Sequence, residues 1–158
     1  MVELPGSLIA PLLQLILIYW VLGYSQFFKV YLVMLVVAQC AMGIGLFISA
    51  LAPNMTTATS IAPLFTMPMI LFGGFIANAS STPAWLGWIQ WISPIRYGNE
   101  CLAHTQFDDA DNVYAAKYLV EEGFTIGYWN CLLACFALAI IWRILAVIML
   151  NIQISKFQ

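Results

Sequence analysis

From Val30 to Ile95 the chain runs 66 residues without a Lys, Arg, Asp or Glu. A helix crosses a bilayer core of roughly 30 Å with about 20 apolar residues. That run therefore holds two crossings with a polar-ended segment left over. Polar punctuation divides the whole chain into four predicted spans, at about 4–23, 28–51, 57–76 and 127–150. The first begins after Glu3 and closes on Tyr19 and Trp20, rings that favour the headgroup level. The second starts near the lone Lys29, carries Ala41, Gly43, Gly45 and Ser49 as small residues that permit close helix contact in lipid, and ends at Ala52-Pro53-Asn54. The third contains Pro63 and Pro68, which membrane helices tolerate when neighbours satisfy the freed carbonyls, and it should be kinked. The fourth precedes a polar tail from Asn151 to Gln158, toward whose headgroup level Arg143 can snorkel.

The connection 77–126 is far longer than the others and holds most of the remaining charge. Trp85, Trp88 and Trp91 recur every three residues beside Leu86, Ile89 and Ile92, which predicts an interfacial or re-entrant helix. Ser93-Pro94 breaks it. A second helix starting there places Arg96 and Glu100 at i, i+4, where they can pair. Asp108, Asp109, Asp111, Glu121 and Glu122 make the rest of the connection acidic and water-exposed. The fold class is thus an all-α membrane protein of four transmembrane helices, with a re-entrant or interfacial helical loop between the last two.

Composition agrees, with 63 % hydrophobic and 8 % charged residues among 158, outside the soluble globular range. The net charge of −2 and five dispersed basic residues offer no patch for nucleic acid. The first span is too apolar at its end, and too poor in basic residues at its start, for a cleaved signal peptide. Cys40, Cys101, Cys131 and Cys135 form no C-x-x-C pair and have no His at ligand spacing, so neither zinc nor a disulfide framework is indicated. Three of them read as small apolar membrane residues. His104 and Asp108 lie at i, i+4, but no second ligand spacing recurs and no metal is assigned. Gln39 and Arg143 are the strongly polar residues inside spans two and four. Gln39 reads equally as a functional group or as an interhelical hydrogen bond. Asn54-Met-Thr and Asn78-Ala-Ser are glycosylation sequons.

The stretch at 67–107 resembles the fifth membrane helix and external loop of the G-subfamily ABC transporters, the White and multidrug-resistance half-transporters. The matching residues are Gly73-Gly74, Phe75-Ile76, Asn78, Trp85 to Trp91, Ser93-Pro94, and Arg96-Tyr97-Gly98 with Glu100. Glu3-Leu4-Pro5 with Tyr19-Trp20 and Gly23 is similar to the family's third membrane helix. The resemblance implies the last four of six membrane helices, working as a homo- or heterodimer with another half-transporter in a plasma or intracellular membrane. It implies export of lipids, sterols or other hydrophobic small molecules, both termini cytosolic, and neither sequon a good acceptor. It also places Ser60, Leu64, Met67 and Ile70 on a substrate cavity and makes Phe75 and Ile76 an apolar valve, whereas ordinary helix packing would produce the same stripe. Trp85, Trp88, Trp91, Arg96, Tyr97 and Glu100 would be structural residues of the loop.

No G-x-x-x-x-G-K-[ST] loop occurs in these residues, so they hold no phosphate cradle and no ATPase residues. ATP and Mg belong to the nucleotide-binding domain that the resemblance implies, which is absent here along with the first two helices. The external-loop cysteines of the multidrug members find no match in Cys101, which argues against a covalent dimer, and Pro63 replaces a hydroxyl residue facing their cavity. The alternative is a stand-alone four-helix scaffold or channel-like subunit, which would need a polar line or carboxylate ring along a helix. Neither is present. The transporter reading predicts that an antibody to residues 108–122 detects, in source membranes, a polypeptide several-fold larger than 17.6 kDa; a band at that size would favour the alternative.

Overall fold

The computed structural model describes residues 3–22, 26–75, 87–107 and 126–156, and among them every regular element is helical. Helix α1 spans Glu3–Leu22, α2 Phe27–Leu51, α3 Met55–Ile70, α4 Gly87–Ile92, α5 Pro94–Phe107 and α6 Tyr128–Lys156. Three segments are long and apolar enough to cross a membrane: Phe27–Leu51, Met55–Gly73 and Tyr128–Ser155. The fourth expected crossing, α1, is helical over 20 residues, and its described apolar stretch is the shorter Ile9–Trp20.

Local chemistry explains the boundaries. Ala52 is extended at φ −90°, ψ 130° because the ring of Pro53 disfavours helical backbone before it. Asn54, also extended, opens α3 two residues earlier than the sequence suggests, with the Ala58 N–H donating to its carbonyl at 3.0 Å. The proline-rich third span does not end cleanly. After Ile70 it widens into a π-helical turn over Leu71–Phe75, just past Pro68, which lacks the N–H a regular helix needs. Helix α6 continues to Lys156, six residues beyond the expected end, since Asn151-Ile-Gln-Ile-Ser contains no Gly or Pro to stop it. Its 29 residues measure about 43 Å, longer than the bilayer core, so the tail emerges as helix.

Helices α1 and α2 form a hairpin closed by an edge-to-face contact of Tyr19 with Phe27 at 5.3 Å. Helices α2 and α6 run parallel. The Tyr128 hydroxyl donates to the Lys29 carbonyl at 3.1 Å near their starts, and Phe47 meets Trp142 at 5.3 Å farther along. Their buried residues recur at intervals of three and four, Val33, Val36, Cys40, Ile44 and Ile48 against Cys131, Cys135, Ala139, Trp142 and Ala146. That is the seam of two helices packed at a shallow angle. Phe65 of α3 completes an aromatic trio, 6.1 Å from Phe47 and 5.8 Å from Trp142.

Small residues do not contribute equally. A Cβ on Gly43 would lie 3.1 Å from the Trp142 Cβ, whereas one on Gly45 would meet nothing within 4 Å. Ala41 and Ser49 are exposed. Gly43→Leu should therefore overpack the seam and destabilise the protein by about 1–3 kcal/mol, while Gly45→Leu should not. Thermal unfolding of the detergent-solubilised protein, followed by tryptophan fluorescence, separates the two.

Candidate functional site

Helix α3 carries a stripe of unpartnered side chains. Leu64, Met67 and Ile70 are 75, 68 and 41 % exposed, and Ser60, also exposed, donates its hydroxyl to the Thr56 carbonyl at 3.0 Å. Spacings of four, three and three put all four on one helix face. Their neighbours Phe65 and Met69 turn the other way, into the core. Only 6 % of the Met55–Gly73 span is buried, against 33 % of α2 and 28 % of α6. The chain thus leaves one face of this helix bare along its length.

The wide turn at the end of α3 is gripped by the connecting helices. Gly73 is buried, and a Cβ there would lie 2.8 Å from the Ile95 Cγ2, so α5 approaches to a distance that only glycine permits. The Ser93 hydroxyl donates to the Met69 carbonyl at 3.0 Å, and the Asn99 amide donates to the Gly73 carbonyl at 3.3 Å. On another side of α5, the Ile126 N–H donates to Glu100 Oε1 at 2.7 Å and the Cys101 thiol reaches the Tyr128 carbonyl at 3.7 Å, at the start of α6. Gly98 lies against Val37 of α2, where an added Cβ would sit 2.9 Å from its Cγ2. Val37 is ten residues into α2, about 15 Å along its axis.

The expected pairing of Arg96 with Glu100 is not made among the described residues. Arg96 turns back toward α4, stacking 4.7 Å above the Trp91 ring and donating from Nη1 to Gln90 Oε1 at 3.4 Å, while Glu100 points to α6. Both are buried, at 6 and 0 % exposure. Arg96 Nε, Glu100 Oε2 and Gln90 Nε2 have no hydrogen-bond partner among the described residues. The Tyr97 hydroxyl donates to the Trp91 carbonyl at 3.3 Å; burial pushes this phenol above its ordinary value, with the adjacent Arg96 charge opposing. Trp91 is 57 % exposed at the end of the six-residue α4. Ile76, Trp85, Asn78 and the acidic stretch 108–122 lie outside the described residues, as do the side chains of Phe75 and Trp88. No group of three or more His, Cys, Asp or Glu able to hold a metal occurs among the described residues.

Arg143 and Gln39, read separately in the sequence, are brought together. The Arg143 Nη2 donates to Gln39 Oε1 across the α2–α6 seam. The side chain therefore turns toward the start of α6, the direction a helical side chain favours, and not toward the polar tail as snorkelling would require. Arg143 lies fifteen residues past Tyr128, roughly 22 Å along the helix. Ser93, Asn99 and Gly98 were not singled out from the sequence for these contacts. The Ser-Pro break was the one available signal for Ser93, and nothing local marks Asn99. Gln39→Leu should remove the interhelical bond and lower stability by about 0.6–1.7 kcal/mol, read as a fall in thermal midpoint in detergent, and Arg143→Leu added to it should cost little more.

Comparison with known proteins places this geometry. Residues 1–107 match the family model for the ABC-2 type transporter. ABC transporter G family member 2 of Dictyostelium discoideum is 39 % identical over 104 residues, covering 63 % of this chain and 8 % of its own length. Protein white of Drosophila melanogaster is 33 % identical over 113 residues, covering 69 % of this chain and 16 % of its own. ABC transporter G family member 45 of Oryza sativa subsp. japonica aligns with 100 % of this chain at 23 % identity, over 13 % of its own length. The chain thus spans a small part of each relative. It belongs to the ABC-2 type transporter family, and the G-family and White relatives are those its motifs resemble.

Proposed function

We propose that these residues are the later part of the membrane domain of an ATP-driven exporter of hydrophobic small molecules such as lipids or sterols. ATP and Mg act on a nucleotide-binding domain elsewhere in the protein, and a second half-transporter completes the dimer. The observation that carries the reading is the bare face of α3. A helix of which a far smaller share is buried than of α2 and α6, and whose apolar stripe is open, is suited to face a partner or a substrate path. In family terms, Ser60, Leu64, Met67 and Ile70 line that path and Phe75 with Ile76 closes it. Met67 and Leu64 suit varied apolar ligands because such side chains repack at little cost.

The connecting helices support a re-entrant placement. Gly98 lies against Val37, ten residues from the start of α2, so the start of α5 dips to that depth. With Tyr128 beside Lys29, the beginnings of α2 and α6 and the end of α3 share one membrane side, which the family topology makes the external one.

The test is ATP-dependent export by the full transporter polypeptide in proteoliposomes. Met67→Trp and Leu64→Trp should narrow the path and lower export of a bulky apolar dye by about tenfold, a change equivalent to roughly 1.4 kcal/mol, while basal ATP hydrolysis persists. Equal export by both variants would remove α3 from the path, and no ATP-dependent export by the unaltered protein would remove the exporter reading itself.

A further inference from the structure

Helix α5 makes two polar attachments from adjacent residues. Asn99 donates to the Gly73 carbonyl in the wide turn of α3, and Glu100 accepts from the Ile126 N–H before α6. Successive helical residues point about 100° apart, so one short segment of α5 holds the ends of two different membrane helices. The attachments are reinforced on each side, by Ile95 against Gly73 with Ser93 on the Met69 carbonyl, and by Cys101 on the Tyr128 carbonyl. Glu100 is fully buried, and its second oxygen has no partner among the described residues. Its other oxygen, Oε1, is the one that accepts from Ile126.

The two attached ends differ in stiffness. Residues 71–75 form a π-helical turn containing Gly73 and Gly74, a geometry with weaker local support than an α-helix. The α6 end leads into 29 regular residues. A rigid strut fixed to both would impose the position of the stiff helix on the pliable turn.

We propose that Asn99 and Glu100 are positioning residues that make α5 a strut, coupling the wide turn at the end of α3 to the start of α6. The coupling rests on the exporter reading for its use, because the turn includes Phe75, one of the two residues assigned to the valve. It does not rest on that reading for its existence. In the transport cycle, displacement of α6 is transmitted through Glu100, α5 and Asn99 to residues 71–75.

Hydrogen–deuterium exchange of the full transporter polypeptide in lipid nanodiscs tests this directly. Glu100→Leu, of similar size but without an acceptor, should raise exchange at residues 71–75 about tenfold, across α5 from the bond it removes. Asn99→Leu should likewise raise exchange at 126–130. Glu100→Gln, which keeps an acceptor oxygen, should restore protection at both ends. Exchange rising only on the side of the removed bond would overturn the strut. So would a matching rise throughout 95–106, since it would show that α5 has melted and is not transmitting.

Export per ATP separates this proposal from the one beneath it. Coupled exchange in a polypeptide that exports nothing would refute the exporter and leave the strut standing. Uncoupled exchange in an active exporter would refute the strut alone. In an active, coupled protein the Asn99→Leu, Glu100→Leu double variant should export no worse than the poorer single one, because either change already breaks the same connection.

Discussion

The parallel seam between α2 and α6 is the constraint on which the rest of the arrangement depends. Two helices that run the same way through a membrane cannot be joined by a short turn. The chain must return between them, and α3 makes that return. Every other feature follows from which end each helix presents. Once Tyr128 sits beside Lys29, the end of α3 and the starts of α2 and α6 converge on one side, and α5 packs against them there. The seam is able to set this register because several of its buried residues are small. Cys40, Cys131, Cys135 and Ala139 are each at most 4 % exposed, and Gly43 lets the Trp142 Cβ and the Ala139 carbonyl come close. In lipid, where apolar burial between helices gives little advantage over contact with acyl chains, such close packing is the main source of association.

The aromatic trio then fixes where α3 lies against that pair. Phe47, Phe65 and Trp142 come one from each helix, with centroids 5.3 to 6.1 Å apart. Their edge and tilted contacts have a directional preference that aliphatic packing lacks. This anchoring uses one side of α3 only. The opposite side, from Ser60 to Ile70, is the more exposed one, so α3 has a held face and an open face.

Reading the residues in order revealed what depends on local chemistry. The long apolar runs identified α2, α3 and α6, and the Ala-Pro-Asn and Ser-Pro breaks fell where backbone sterics put them. The bare stripe on α3 was visible as spacing, although spacing alone could not tell an open face from a packed one. What stayed hidden depends on partners far away in sequence. Gly43 and Gly45 are indistinguishable as letters, and only the position of α6 makes one of them necessary. Arg96 and Glu100 have the spacing of an ion pair, yet each finds a partner on a different element: Trp91 and Gln90 behind, Ile126 ahead. Arg143 had an evident route to the headgroups along its own helix, and the Gln39 amide on α2 redirected it. The polar residues after Leu150 read as an end signal, yet α6 continues to Lys156, since a helix emerging from a membrane can be polar and still continue.

The concentration of polar groups on α4 and α5 has a physical origin in the irregular backbone that surrounds them. A carbonyl that has lost its helical partner and is shielded from water needs a donor supplied by the protein itself. The prolines and the wide turn disturb the helical ladder of α3 near its end. Ser93 and Asn99 supply donors to Met69 and Gly73, and Glu100 supplies an acceptor for an amide preceding α6. Gly73 permits the approach that makes these bonds possible. Irregular backbone and buried polar side chains therefore require each other here. A regular α3 would leave the half-buried Asn99 without this acceptor, and an apolar α5 would leave the turn's carbonyls without donors. The wide turn and the polar side chains of α5 are in this way mutually dependent, each supplying what the other lacks.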